Sequence, residues 1–288
     1  MKEVGLQKVE GLVFSMIIDA HVHTGLFTSP EKTVDMREEI VLKSMELYNI
    51  DFALVSNAAV EYDCEWQPIP LEMQVSQEES FLGSVAFAKE NKDKIGILPW
   101  IKPATETADE RFEEILKDNL DVIYGIKVHP FHSKTAFDSE RVEPYIKLAR
   151  KYHLPVLTHT ADCDEASPVR VYNMAKKYPD VNFVMAHMGL GTDNQEAISL
   201  LGKLPNLYGD TAWVPLSSTL QIVKEYGSKK LIFGSDSPID GLHTYRENMA
   251  GEPSLYQQYF YELEDKIGTE AYEDIMYKNA MRVYGIHF

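Results

Sequence analysis

Short runs rich in apolar and β-branched residues alternate along this chain with longer stretches in which apolar positions recur at helical spacing. Eight such runs read as strands: residues 16–20, 52–56, 95–100, 122–128, 155–158, 182–186, 206–209 and 230–234. Between them, Ser76-Gln-Glu-Glu79, Thr107-Ala-Asp-Glu110 and Thr192-Asp-Asn-Gln195 each fit a capping box that starts a helix. Ser167-Pro168 sets a cap before a proline at the first helical position. Tyr178-Pro179 and Leu204-Pro205 stop helices ahead of the next strand. Continuously apolar strands separated by helices predict a parallel sheet covered on both faces. Eight β/α units close most naturally into a (β/α)8 barrel. An open doubly wound sheet is the alternative. It usually carries fewer strands and a glycine-rich phosphate turn, and the chain has neither G-x-G-x-x-G nor a Walker pattern.

One barrel domain is expected over residues 16–288, with 1–15 as an N-terminal extension. The connections at 57–75 and 237–253 are long and follow strands, so both fall over the C-terminal mouth of a barrel. They are candidate lids or ordinary surface loops. Composition narrows the partners. The 288 residues are 44% hydrophobic and 25% charged, which is globular, and 28 Lys plus Arg against 45 Asp plus Glu leave a net charge of −17. That balance disfavours nucleic acid, whose binding rests on Lys and Arg meeting phosphates, and disfavours anionic membrane. Only Cys64 and Cys163 are present, no apolar run approaches a membrane span, and the first fifteen residues lack a signal-peptide core. A cytoplasmic protein acting on a small molecule is the expectation, with a homodimer as one option for its assembly.

Chemistry concentrates where the strands end. The first strand finishes Asp19-Ala-His-Val-His23, and residues two apart share a face, so His21 and His23 point the same way. Two buried imidazoles carry a desolvation cost that either hydrogen bonds or a metal ion can offset. The fourth, fifth, sixth and eighth strands end in Lys127-Val-His129, Thr158-His159, Ala186-His187 and Gly234-Ser-Asp236. Strand ends of a closed barrel surround one axis, so these side chains converge on one mouth. Imidazoles with one carboxylate suit Zn2+ first, with Mn2+, Fe2+ or Co2+ also compatible. Asp19 could orient a histidine or cap a backbone group. Trp66, Trp213, His132, Asp240 and His243 lie in mouth loops and could meet a substrate. Cys163 and His153 read better as structural.

Asp19-Ala-His-Val-His23, Gly125-Ile-Lys-Val-His-Pro130, Thr158-His159, Met185-Ala-His187, Phe233-Gly-Ser-Asp236 and the closing Asn279-Ala-Met-Arg282-Val-Tyr-Gly285 together resemble the amidohydrolase superfamily of metal-dependent (β/α)8 enzymes. The chain looks most like the branch holding aminocarboxymuconate-semialdehyde and γ-resorcylate decarboxylases beside hydrolases and lactonases. The resemblance implies that His21, His23 and His159 ligate the metal, with Asp236 as ligand and proton acceptor, and that His187 polarises substrate or water. In binuclear members a lysine at the position of Lys127 is carbamylated and bridges two ions. The branch resembled is typically mononuclear, so one ion is expected, with Lys127 and His129 as substrate anchors. The leading expectation is hydrolysis of a C–O or C–N bond in a carboxylate-bearing substrate by a metal-activated water. Asp236→Asn is then expected to abolish turnover while metal is retained. Non-oxidative decarboxylation of an aromatic or unsaturated acid on the same metal is the alternative. A barrel that has lost its chemistry is the third, against which stands the intact set of strand-end residues.

Overall fold

The computed structural model describes residues 16–28, 33–60, 63–64, 67–68 and 75–288. The extension read at 1–15, Trp66 and most of the 57–75 connection lie outside the described residues. Among those described, every expected strand is present: β1 Ile18–Thr28, β2 Phe52–Asn57, β3 Ile95–Ile97, β4 Ile126–Val128, β5 Val156–Ala161, β6 Phe183–Leu190, β7 Leu207–Asp210 and β8 Leu231–Ile232. Sequential neighbours pair in parallel. Bridges at Ile97–Ile123 and Trp100–Lys127 join β3 to β4. The ring closes between β8 and β1, where the Ala20 amide donates to the Phe233 carbonyl at 3.0 Å and Val22 bridges Ser237. The fold is a (β/α)8 barrel.

Two apolar layers follow from the two faces of each strand. On β2, Phe52 and Leu54 point into the barrel beside Leu98, Leu157, Val184 and Ile232, while Ala53 and Val55 point out to the helices. The C-terminal helix Asn279–Tyr284 closes the lower end of the inner layer through Val283 and Tyr284. Its Asn279 amide donates to the Leu231 and Ser228 carbonyls at 2.7 and 2.9 Å, bolting it beneath β8. No helix among the described residues is long and apolar enough to cross a membrane.

Two of the four helix starts fall where the sequence puts them. Ser76 Oγ accepts from the Glu79 amide at 3.1 Å and Ser167 Oγ from the Val169 amide at 3.3 Å. The helix expected from Thr107 begins instead at Glu110, capped by Asp109, which accepts from the Phe112 amide at 2.9 Å. Thr192 does not cap the helix, which starts at Gln195: its hydroxyl donates to the Gly189 carbonyl at 2.7 Å and accepts the Asn194 amide at 3.0 Å, closing the preceding turn. The 237–253 connection is no hinged lid. Tyr245 is fully buried, the Leu242 carbonyl accepts from Ser44 Oγ at 2.9 Å, and His243 meets the Tyr48 hydroxyl at 2.7 Å. Both anchors lie on helix Glu38–Tyr48, so His243 serves that seam rather than the mouth.

The helical shell also sets an acid limit. Glu143 accepts from Lys177 at 2.8 Å and from the Tyr178 hydroxyl at 2.6 Å, and these bonds hold its carboxyl down to about 2. A depressed carboxylate contributes stability above the ordinary glutamate range and loses it as pH falls from about 4.5 toward about 2. Glu143→Gln is expected to lower stability at neutral pH slightly and to flatten the acid limb of chemical denaturation in that window. An acid limb identical to wild type would contradict the assignment.

Candidate active site

A bulge aims the first two histidines. Ile18 and Ala20 face the barrel interior, so a regular strand would turn His21 and His23 outward. Between Asp19 and Val22, β1 takes three steps against two on β2, and the extra residue reverses the parity. His187 is turned inward differently. Val184 and Ala186 face inward, and left-handed backbone at His187 and Met188 (φ 66° and 52°) breaks the alternation after them. Asp236 and Trp213 are left-handed too, at φ 63° and 58°. Non-glycine residues in that region cost on the order of 1–3 kcal/mol each and cluster where function fixes them. Gly234 stands two residues before Asp236 because a Cβ there would lie 2.8 Å from the His21 Cβ.

These turns bring His21 Nε2 and His23 Nε2 within 3.2 Å of one another, with Asp236 Oδ1 at 3.2 and 2.8 Å from them. The protonation of each ring is set from behind. His21 Nδ1 donates to Asp210 Oδ2 at 2.7 Å, and His23 Nδ1 to the Ser56 carbonyl at 3.2 Å, leaving both Nε2 lone pairs facing Asp236. Three acceptors crowded in a buried site fit a divalent cation, and outer partners of this kind are what metal-binding histidines use. Asp210 binds twice, since its Oδ1 accepts the His187 and Ala212 amides at 2.8 and 3.1 Å. Burial pushes its carboxyl up to about 6.

Lys127 is fully buried, with Nζ 2.7 Å from His21 Nε2 and 5.7 Å from the Trp100 ring centre. Burial lowers its ammonium to about 8, which leaves it cationic at neutral pH. His159 lies outside the trio formed by His21, His23 and Asp236. Its ring stacks on His129 at 4.0 Å and meets His187 edge-on at 4.7 Å. His129 stacks in turn on Trp100 at 5.0 Å, and Trp100 leans on His23 at 5.4 Å. His21 and His187, 5.0 Å apart, complete a circle of rings around the mouth. Burial drives His21, His129 and His159 well below the usual imidazole range and His187 and His132 to about 4. All five are neutral at pH 7.

Neutral rings have definite donors. His187 Nδ1 donates to the Ala212 carbonyl at 3.1 Å, so its Nε2 offers a lone pair. The neutral ring thus accepts at Nε2. His129 is reversed, because Nδ1 accepts from the His132 amide at 3.2 Å and the ring proton sits on Nε2. Asp19 does not touch either histidine ring. It accepts the His21 and Ser235 amides at 3.1 and 3.0 Å, the Tyr245 hydroxyl at 2.7 Å and the Ser235 hydroxyl, which is the backbone-capping alternative. Cys163 is half-buried and its thiol is pushed up, so it is a poor nucleophile.

Asp210 and Trp100 were not singled out in the sequence, although Asp210 ends β7 as Asp236 follows β8, and Trp100 shares the parity of inward-facing Leu98. A barrel whose C-terminal mouth gathers imidazoles and a carboxylate defines a metal-site enzyme fold. The amidohydrolase family model matches residues 18–286, and the chain belongs to that family. No curated protein matches it. Among solved structures it is similar to a probable 2-pyrone-4,6-dicarboxylic acid hydrolase from Acinetobacter baumannii with citric acid bound (13% identity, 94% of this chain and 99% of that chain, TM-score 0.61). It is also similar to 5-carboxyvanillate decarboxylase from Novosphingobium aromaticivorans, complexed with manganese and 4-hydroxy-3-methoxy-5-nitrobenzoic acid (11%, 85% and 79%, 0.63). A third is 2,6-dihydroxybenzoate decarboxylase from Rhizobium (14%, 94% and 99%, 0.64). At these identities the likeness establishes the fold.

Proposed function

We propose that this protein is a metal-dependent, non-oxidative decarboxylase of an aromatic or unsaturated carboxylic acid. The observation that carries the reading is Lys127 beside the trio: a buried ammonium stands 2.7 Å from His21, in a mouth walled by the flat rings of Trp100, His129 and His159. The decarboxylases among the similar structures support the same reading. His21, His23 and Asp236 would hold one divalent ion, with His159 approaching from β5. Zn2+ suits two imidazoles and a carboxylate, and Mn2+, Fe2+ and Co2+ are compatible.

A bound divalent ion supplies Lewis acidity toward a substrate oxygen. The chain's own residues do the rest. Lys127 pairs with the substrate carboxylate, and the ring wall holds the planar skeleton and excludes water. When the C–C bond breaks, its electrons stay on the substrate carbon, CO2 leaves, and that carbon takes a proton. His187 Nε2 can accept a proton from a substrate hydroxyl and, as the imidazolium, return it to that carbon, while the neutral Nε2–H of His129 donates a hydrogen bond to a substrate oxygen. Hydrolysis is the second reading, favoured by Asp236, whose Oδ1 lies 3.2 and 2.8 Å from His21 and His23 and could orient a metal-activated water.

Elemental analysis of protein purified without added metal is expected to find about one divalent ion per chain, and chelation to abolish CO2 release from a panel of aromatic acids. Readdition of Zn2+ or Mn2+ should restore it. Turnover of esters, lactones or amides with no CO2 release from any acid would favour hydrolysis. Full activity after complete chelation would remove the metal reading altogether.

A further inference from the structure

Asp236 has two oxygens, and only Oδ1 faces the histidines. Its Oδ2 accepts a hydrogen bond from the Trp213 indole Nε1–H at 2.8 Å. Trp213 sits in the turn after β7, on the left-handed backbone noted above, where a bulky side chain rarely settles. That turn is held from both sides. The Val214 amide donates to the Thr211 carbonyl at 3.1 Å, and the Trp213 amide donates to the Tyr256 hydroxyl at 3.3 Å. Tyr256 is buried and donates in turn to the Ser235 carbonyl, one residue before Asp236. Two strained residues are thus pinned to one another through side chain and backbone.

We infer that Trp213 is a positioning residue that locks Asp236 as a one-oxygen metal ligand. The inference rests on the metal-site reading above. An indole donates and never accepts, so its bond demands an acceptor at Oδ2 and leaves Oδ1 for the cation. The terminal torsion of an aspartate is broad, and nothing else described here bonds Oδ2. Without the indole N–H, the carboxylate can swing and present both oxygens or neither.

The test compares Trp213→Phe, which keeps a ring and loses the N–H, with Trp213→His, which keeps a ring N–H. Zn2+ affinity is read by competition with a chromophoric chelator, and thermal unfolding of the metal-free proteins is read alongside. Trp213→Phe is expected to weaken Zn2+ binding about 10–100-fold, the usual effect of removing a group that orients a ligand. Trp213→His should recover part of that loss, and metal-free unfolding should be unchanged in both. In Co2+-loaded protein, the visible bands of Trp213→Phe should change intensity as the carboxylate changes its mode of binding. Wild-type affinity in Trp213→Phe, or equal weakening in both variants, would overturn the inference while leaving the metal site intact. A wild-type protein that takes up no Zn2+ overturns the reading of the site and this inference with it. Should Trp213→Phe fail to fold, Trp213→Leu replaces it in the same comparison.

Discussion

Asp236→Asn is expected to lower turnover by about 10^3-fold or more and to weaken metal binding about 100-fold along with it. Sequence reasoning alone leads to a different outcome, with turnover abolished and metal retained. The geometry decides against that. The Trp213 N–H needs an acceptor 2.8 Å away, so the asparagine oxygen is drawn to the Oδ2 side. The amide NH2 then faces the Nε2 lone pairs of His21 and His23, which lie 3.2 and 2.8 Å from the Oδ1 position. Those are good hydrogen-bond distances. The variant satisfies the site internally and leaves no acceptors for a cation. Elemental analysis of the purified variant, with CO2 release measured on whichever acid the native protein turns over, checks both halves. A variant with full metal and undiminished turnover would show that Asp236 is neither ligand nor proton acceptor.

The strand positions were legible because buried parallel strands read as apolar runs bounded by proline, glycine and charge. The set of residues at their ends was legible for the same reason. Which way those residues point was not. His21 and His23 share a face by spacing, yet that face looks inward only through the extra residue in β1. His187 follows two inward residues at the wrong parity, and only its left-handed backbone recovers it. Neither device has a local signature in Ala20-His21 or His187-Met188. The 237–253 connection reads as a loop from its polar and glycine content. What fixes it is Tyr245 bonding a carboxylate 226 positions earlier, a contact no sequence window contains. Asp210 escaped notice because its role is to serve His21, and a lone acid at a strand end carries no pattern until its partner is placed. The start expected at Thr107 is of another kind: Thr107 and Asp109 are both good caps two residues apart, and it is Asp109 whose side chain accepts the Phe112 amide.

Asp19 carries the largest expected stability effect. It is fully buried and takes four donors, two amides on one side and the Tyr245 and Ser235 hydroxyls on the other. Those donors lie on β1, on the segment just after β8 and on the 237–253 connection, so one carboxylate closes the barrel seam and anchors the loop above it. Burial pushes its carboxyl up to about 7, and at pH 8 it is ionised. Asp19→Ala is expected to cost about 3–5 kcal/mol at that pH, because it strands several buried donors together. Asp19→Asn should cost only about 1–2 kcal/mol. Its oxygen can keep the two amides, and the two hydroxyls can rotate to accept from its NH2. Urea denaturation at pH 8, with metal held at one fixed concentration, measures the difference. Equal losses in the two variants would mean that the hydroxyls cannot turn, and that the seam depends on the negative charge itself rather than on the hydrogen bonds it receives.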